Sequence, residues 1–192
     1  MARAERKYAL DTNCFIHGFR TPDGVAALQH FHQLFAPFEY LSVVVAQELR
    51  AGARSAIDRR KLERHVLGPF ARTGRVLTPS TQTWHDAGDL LSDLVRRDGL
   101  ELARMTKAFG NDILLALSCR EAGVVLVTDN TRDFARIATL APFDFVRPWP
   151  TPRPDPGGLF HRLMPGFSAA RAPAISLIIP GGLVPLSAAT AD

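Results

Sequence analysis

The sequence predicts an α/β layer fold with a mainly parallel sheet and helices on both faces. Two observations carry that prediction. Short apolar or β-branched runs alternate with segments of helical periodicity up to about residue 147. Residues that start and stop helices, such as Ser80, Gly99, Asn111 and Gly123, punctuate those segments.

The elements follow in order. Tyr8-Ala9-Leu10 is a short buried strand ending at Asp11. Pro22 to Phe35 reads as a helix, because Val25, Leu28, Phe31 or His32, and Phe35 recur at helical spacing. Tyr40 to Val45 is β-branched and predicts a strand, and Ala46 to Leu67 predicts one long helix with a basic face. Gly74 to Thr78 is a short strand. Ser80 or Thr81 caps a helix through Leu90, Leu91, Leu94 and Val95 that stops at Gly99. Leu100 to Phe109 suggests a further short helix. Asn111 is placed as the cap of a helix from Asp112 to Glu121, closed by Gly123. Val124 to Val127 is a strand, Arg132 to Leu140 a helical turn or two, and Phe143 to Val146 the last strand.

Composition narrows the class. Of 192 residues, 46% are hydrophobic and 22% charged, which suits a globular chain and excludes a disordered one. A net charge of +4 tolerates a polyanion without diagnosing one. The two cysteines, Cys14 and Cys119, lack zinc-ligand spacing and fit a reducing, cytoplasmic location. Ala174 to Ile179 is the best apolar run, too short to span a bilayer and broken by Pro180. Nine of the fourteen prolines lie from Pro148 onward. The chain is therefore divided into a body, residues 1–149, and a Pro/Gly-rich tail, residues 150–192, expected to be extended or partly disordered.

In open parallel sheets, ligands gather beyond the carboxyl ends of the strands. Acids fall there. Asp11 directly follows the first strand, Glu48 comes shortly after the second, Asp112 opens a predicted helix, and Asp129 and Asp133 follow the Val124–Val127 strand. Each has an ordinary explanation alone: helix first-turn acids for Glu48 and Asp112, a turn for Asp129-Asn130. Together they form a set of carboxylates that repel one another unless a cation intervenes. Mg²⁺ or Mn²⁺ prefers such oxygen ligands and can activate a water beside a phosphate. Thr12, Asn13, Thr128 and Asn130 are placed to orient the carboxylates or the waters around an ion.

The run Leu10-Asp11-Thr12-Asn13, then Ser42 to Val45 with Glu48-Leu49, Gly52 and Ala53, then Asn111-Asp112, then Leu126 to Phe134, resembles the PIN domain. More narrowly, it is similar to the VapC toxins of toxin–antitoxin pairs. The resemblance covers about residues 7–149. It implies a five-stranded sheet of order 3-2-1-4-5 and a Mg²⁺- or Mn²⁺-dependent endoribonuclease leaving a 5′-phosphate and a 3′-hydroxyl. It implies metal-binding and catalytic roles for Asp11, Glu48 and Asp112. A fourth acid is Asp133 by the spelling Thr-x-Asn-x-x-Asp-Phe, with Asp129 as the alternative. It also implies an RNA substrate, a cognate antitoxin and a homodimer.

Arg50, Arg54, Arg59, Arg60, Lys61 and Arg64 form a basic stretch. It reads equally as a solvated helix face paired to Asp58 and Glu63, or as a phosphate track for RNA. His17 reads as an exposed loop histidine, His30 and His32 as a poor metal pair, and Cys14 as a packing residue. No phosphate-binding Gly-x-x-x-x-Gly-Lys loop and no Gly-x-Ser-x-Gly elbow occurs. The competing functional class is a catalytically silent PIN-like module that binds RNA or a partner protein.

Overall fold

Residues 6–150 are described by a computed structural model. The expected tail, beyond Pro150, lies outside the described residues. Five parallel strands form the sheet: β1 (Lys7–Leu10), β2 (Glu39–Ser42), β3 (Val76–Leu77), β4 (Val124–Val127) and β5 (Phe145–Val146). Their order is β3-β2-β1-β4-β5, as the resemblance implies. Strand β4 is a continuous apolar run, buried along its whole length, as suits a parallel strand covered on both faces. Ala9, Leu126 and Val127 are fully buried. Leu10 pairs with Val127, and the Asp11 N–H extends that ladder to the Val127 carbonyl at 2.9 Å. The register therefore sets Asp11 beside Thr128.

The helices are α1 (Thr12–Arg20), α2 (Pro22–Phe35), α3 (Val43–Gly52), α4 (Ala56–Leu62), α5 (Gly68–Arg72), α6 (Thr81–Asp98), α7 (Lys107–Ala122) and α8 (Thr131–Ala138). A π-helical turn, Glu63–Leu67, joins α4 to α5. Helix α7 lies against β4 between α6 and α8, while α1 and α2 pack on each other. That last contact is close because two glycines permit it. A Cβ on Gly18 would stand 2.5 Å from Leu28, and one on Gly24 would stand 2.3 Å from the His17 carbonyl oxygen. Tyr8 of β1 packs against Phe31 and Phe35 of α2, edge-on to Phe31, and Trp149 packs on Phe31 with ring centroids 5.9 Å apart. Among the described residues no helix is long and apolar enough to cross a membrane.

Four local expectations are corrected. Residues 12–20 form a helix, so His17 is exposed on α1 and not in a loop. Strand β2 ends at Ser42, and Val43 to Val45 begin α3. Ser42 caps that helix by accepting the Val44 N–H, and Val45, Ala46 and Leu49 are buried on its inner face. Core packing overrides the β-branched preference for strand. The long basic helix is broken after Gly52, and Ser55 starts α4 by capping the Asp58 N–H at 3.0 Å. Finally, Thr106 caps α7 through the Phe109 N–H, so Asn111 and Asp112 lie inside the helix rather than at its start.

Candidate active site

Asp11 is the N-cap of α1 and is nearly buried, at 6% exposure. Its Oδ1 accepts the Thr12 N–H at 2.6 Å. Its Oδ2 accepts the Thr128 hydroxyl at 2.6 Å and the Asn13 amide at 2.7 Å. Thr128 is itself fixed, since its oxygen accepts the Asn130 N–H at 2.9 Å. All four residues expected around the acids thus bear on Asp11: Thr12, Asn13 and Thr128 directly, and Asn130 through Thr128.

Glu48 projects from α3 toward the same edge of the sheet. Its Oε2 accepts the Thr12 hydroxyl in a short hydrogen bond, and its Oε1 accepts the Asn111 amide at 2.7 Å. Asp112, the next residue on α7, accepts the Asn130 amide on Oδ2 at 3.0 Å. Neither Glu48 nor Asp112 sits in a helix first turn, so the helix dipole does not account for them. Asn111, expected at a helix cap, instead lies within α7 and gives its amide to Glu48. Its adjacency to Asp112 was the available signal, but a partner 63 residues away is not visible along the chain.

The electrostatics tie these acids together. Burial raises the Asp112 carboxyl to about 7, and Asp11, Asp133 and Glu48 push it the same way. Burial also raises Asp11; its hydrogen bonds from Thr128 and Thr12 oppose that, and Glu48 and Asp129 add to it. The largest influences on either carboxyl include no cationic side chain. Asp133, in the first turn of α8, faces Asp112, whereas the exposed Asp129 acts on Asp11. The two competing acids therefore serve different neighbours.

The donor set is oxygen throughout, which suits Mg²⁺ or Mn²⁺ and not a soft metal. Among the described residues no group of three or more His, Cys, Asp or Glu side chains is gathered closely enough to hold a metal ion by itself. Mg²⁺ requires less, commonly one or two carboxylates and several retained waters. The cluster of negative charge without a cation fits such an ion.

Other candidates have different surroundings. Cys14 is buried, its thiol hydrogen-bonded to Asn13 Oδ1 and the Val127 carbonyl, and burial pushes its ionisation far up. It is a packing residue, as expected. His32 Nδ1 lies 2.6 Å from the buried Glu39, while His30 is exposed. Arg50 holds Glu63 in a two-point pair at 2.6 and 3.2 Å. Arg59, Arg60 and Lys61 are exposed on α4, and Arg64 is exposed on the π-helical turn.

No protein-family model matches the chain, and no curated protein matches it. Solved structures do. A chain of DNA-bound VapBC from Salmonella typhimurium aligns with TM-score 0.56 and 23% identity over 74% of this chain and 98% of that one. A chain of FitAcB from Neisseria gonorrhoeae aligns with TM-score 0.55 and 22% identity over 75% and 99%. A chain of FitAB bound to an IR36 DNA fragment gives TM-score 0.55 and 20% identity over 77% and 99%. The likeness is one of fold. The fold is PIN-like α/β, a five-stranded parallel sheet flanked by helices.

Proposed function

We propose that this chain is a Mg²⁺- or Mn²⁺-dependent endoribonuclease and the toxin half of a toxin–antitoxin pair. One observation carries the reading. Asp11, Glu48 and Asp112 reach one sheet edge from three elements, and Asp112 is raised to about 7 by burial and by its acidic neighbours. Asp11, Glu48, Asp112 and Asp133 would hold the ion. When bound, it supplies charge that activates a water and neutralises what develops on the phosphate.

The chain's own residues do the rest. Thr12 and Asn111 hold Glu48 from both sides, and Thr128 and Asn13 hold Asp11. That fixes the carboxylates before substrate arrives. Asn130 donates to Asp112 and orients it, while burial and the neighbouring acids hold that carboxyl up at about 7. Arg59, Arg60, Lys61 and Arg64 supply the positive charge that draws in a polyanion the acids would repel. Such contacts position a strand without reading its sequence. The family resemblance favours single-stranded or looped RNA, and a homodimer. Likeness to chains of VapBC and FitAB complexes supports a protein partner, an antitoxin.

The second reading, a silent PIN-like binding module, is favoured because no three His, Cys, Asp or Glu side chains among the described residues are gathered closely enough to hold a metal ion. Cleavage of single-stranded RNA separates the two. The nuclease reading expects fragments in Mg²⁺ or Mn²⁺, none with EDTA, and a loss of about 100-fold or more in Asp112→Asn. RNA binding without cleavage in either metal would establish the silent module.

A further inference from the structure

We infer that Lys107 and Arg132 bind substrate phosphates on the α8 side of the acids, completing a path that α4 begins on the other side. The inference rests on the RNA reading above and extends it to two further residues. The lysines and arginines of the eight described α-helices follow one rule with two exceptions. All the others stand in last turns, where a cation complements the helix dipole. Lys107 is the first residue of α7, and Arg132 is the second of α8. At those positions the dipole opposes a positive charge.

Local compensation does not explain the pair. Both side chains are exposed. Among the described residues neither makes an ion pair or a side-chain hydrogen bond. The first turn of α7 contains no acid that would hold Lys107. Nor is either cation among the largest influences on Asp11 or Asp112. Both charges are therefore open to an anion that arrives from outside.

Their place in the fold is beside the acids. Asp133 directly follows Arg132, and Asn130, just before them, holds Asp112. Lys107 and Asn111 are four apart and share one face of α7, the face from which Asn111 reaches Glu48. Helix α7 turns back at Gly123 into β4. Its 16 residues span roughly 24 Å against roughly 13 Å for the 4 of β4, so its first turns overhang the carboxyl edge of the sheet. Lys107 stands about 7.5 Å along that helix beyond Asp112, where a neighbouring phosphate rather than the reacting one would lie. In the sheet, β1 lies between β2 and β4. Asp11 follows β1, α3 and α4 follow β2, and α8 follows β4. Cations thus flank the acids on both sides. A polyanion drawn over Asp11 meets positive charge before and after the cluster that repels it. The ligand this selects is an extended single strand several phosphates long, not a mononucleotide.

Binding of a short single-stranded RNA to the full chain, in EDTA so that no strand is cut, tests the assignment. Lys107→Gln/Arg132→Gln should weaken binding about tenfold or more at low salt and lower the salt slope by about 1.4, at about 0.7 per phosphate contact. Lys107→Arg/Arg132→Lys should keep the wild-type slope. The Tm of the Gln variant should equal or exceed that of wild type, because each change removes a charge that opposes a dipole. In Mn²⁺, its KM for RNA should rise while kcat changes by less than about threefold. A slope that falls in a chain that cuts no RNA in Mn²⁺ supports the assignment and overturns the nuclease reading alone. Wild-type RNA binding with an unchanged slope in the Gln variant overturns the assignment and leaves the RNA reading standing. A lower Tm beside that unchanged slope would make the two cations structural counter-charges. A kcat that falls as far as kcat/KM would move them into the chemistry and also overturn the assignment. No RNA binding by the wild-type chain overturns both readings.

Discussion

The Asn111 side-chain amide donates to Glu48 Oε1 at 2.7 Å, joining α7 to α3 across 63 residues of chain. The Thr12 hydroxyl, at the start of α1, holds the other Glu48 oxygen. Glu48 is thus fixed by one helix that carries Asp112 and by another that Asp11 caps.

Untying Glu48 is expected to cost function more than stability. Asn111→Leu and Thr12→Val should each lower Mn²⁺ affinity and single-turnover cleavage by about 10–100-fold. The double variant should fall short of the summed loss, because both changes free one carboxylate. Isothermal titration with Mn²⁺ and single-turnover kinetics are the measurements. Wild-type Mn²⁺ affinity in both variants would remove Glu48 from the site.

Stability should depend on pH through Asp112. Its carboxyl lies at about 7 in the fold against an ordinary 3.8. Between those values the folded chain keeps a proton that the unfolded chain has lost. The stability from this group is therefore complete below pH 3.8 and is lost as pH rises through about 7. Asp11 is shifted in the same direction. The metal-free Tm should rise between about pH 8 and about pH 5.5, and by less in Asp112→Asn. Mn²⁺ competes with the same proton, so it should raise Tm more at the higher pH. Parallel melting profiles for wild type and Asp112→Asn, followed by circular dichroism, would contradict the assignment.

The basic surface should govern affinity and its salt dependence. Arg59→Glu, Arg60→Glu and Arg64→Glu together should weaken RNA binding and reduce the salt slope by about 2, at about 0.7 per phosphate contact. Arg50→Ala should matter less, since Glu63 already occupies that guanidinium. Fluorescence anisotropy across a salt series measures both. If cleavage at saturating RNA fell as far as affinity, these residues would belong to the chemistry and not to a phosphate track.

Two glycines should respond oppositely to alanine. Gly24→Ala puts a Cβ 2.3 Å from the His17 carbonyl oxygen, a backbone atom that cannot swing away. It should destabilise the fold by about 1–3 kcal/mol. Gly88, inside α6, has nothing within 4 Å of such a Cβ, and Gly88→Ala should stabilise by about 0.5–1 kcal/mol. Urea denaturation reads both. A neutral Gly24→Ala would mean that α1 and α2 pack less closely than described.

Much of the architecture was legible along the chain because its signals are local. Tyr8 to Leu10 and Val124 to Val127 read as buried strands, and β1 and β4 are buried strands. Ser80 and Gly99 bound α6 as expected, with Gly99 in the left-handed region that closes a helix. Asp11, Glu48, Asp112 and Asp133 were legible as candidates because strand ends in a parallel sheet indicate where to look.

What the chain order left open depended on contacts between distant residues. Val43 to Val45 prefer strand by themselves, yet they begin α3 because Ser42 caps it and the core receives Val45 and Leu49. Asn111 looked like a cap until Thr106 took that place, which freed its amide for Glu48. Arg50 became a structural partner only when the turn after α4 brought Glu63 to it. Residue types and their local spacing thus determined the strands, the caps and the supply of acids. Which carboxylate each Thr or Asn holds was decided by the tertiary structure, because a hydrogen bond acts over about 3 Å whatever the distance along the chain.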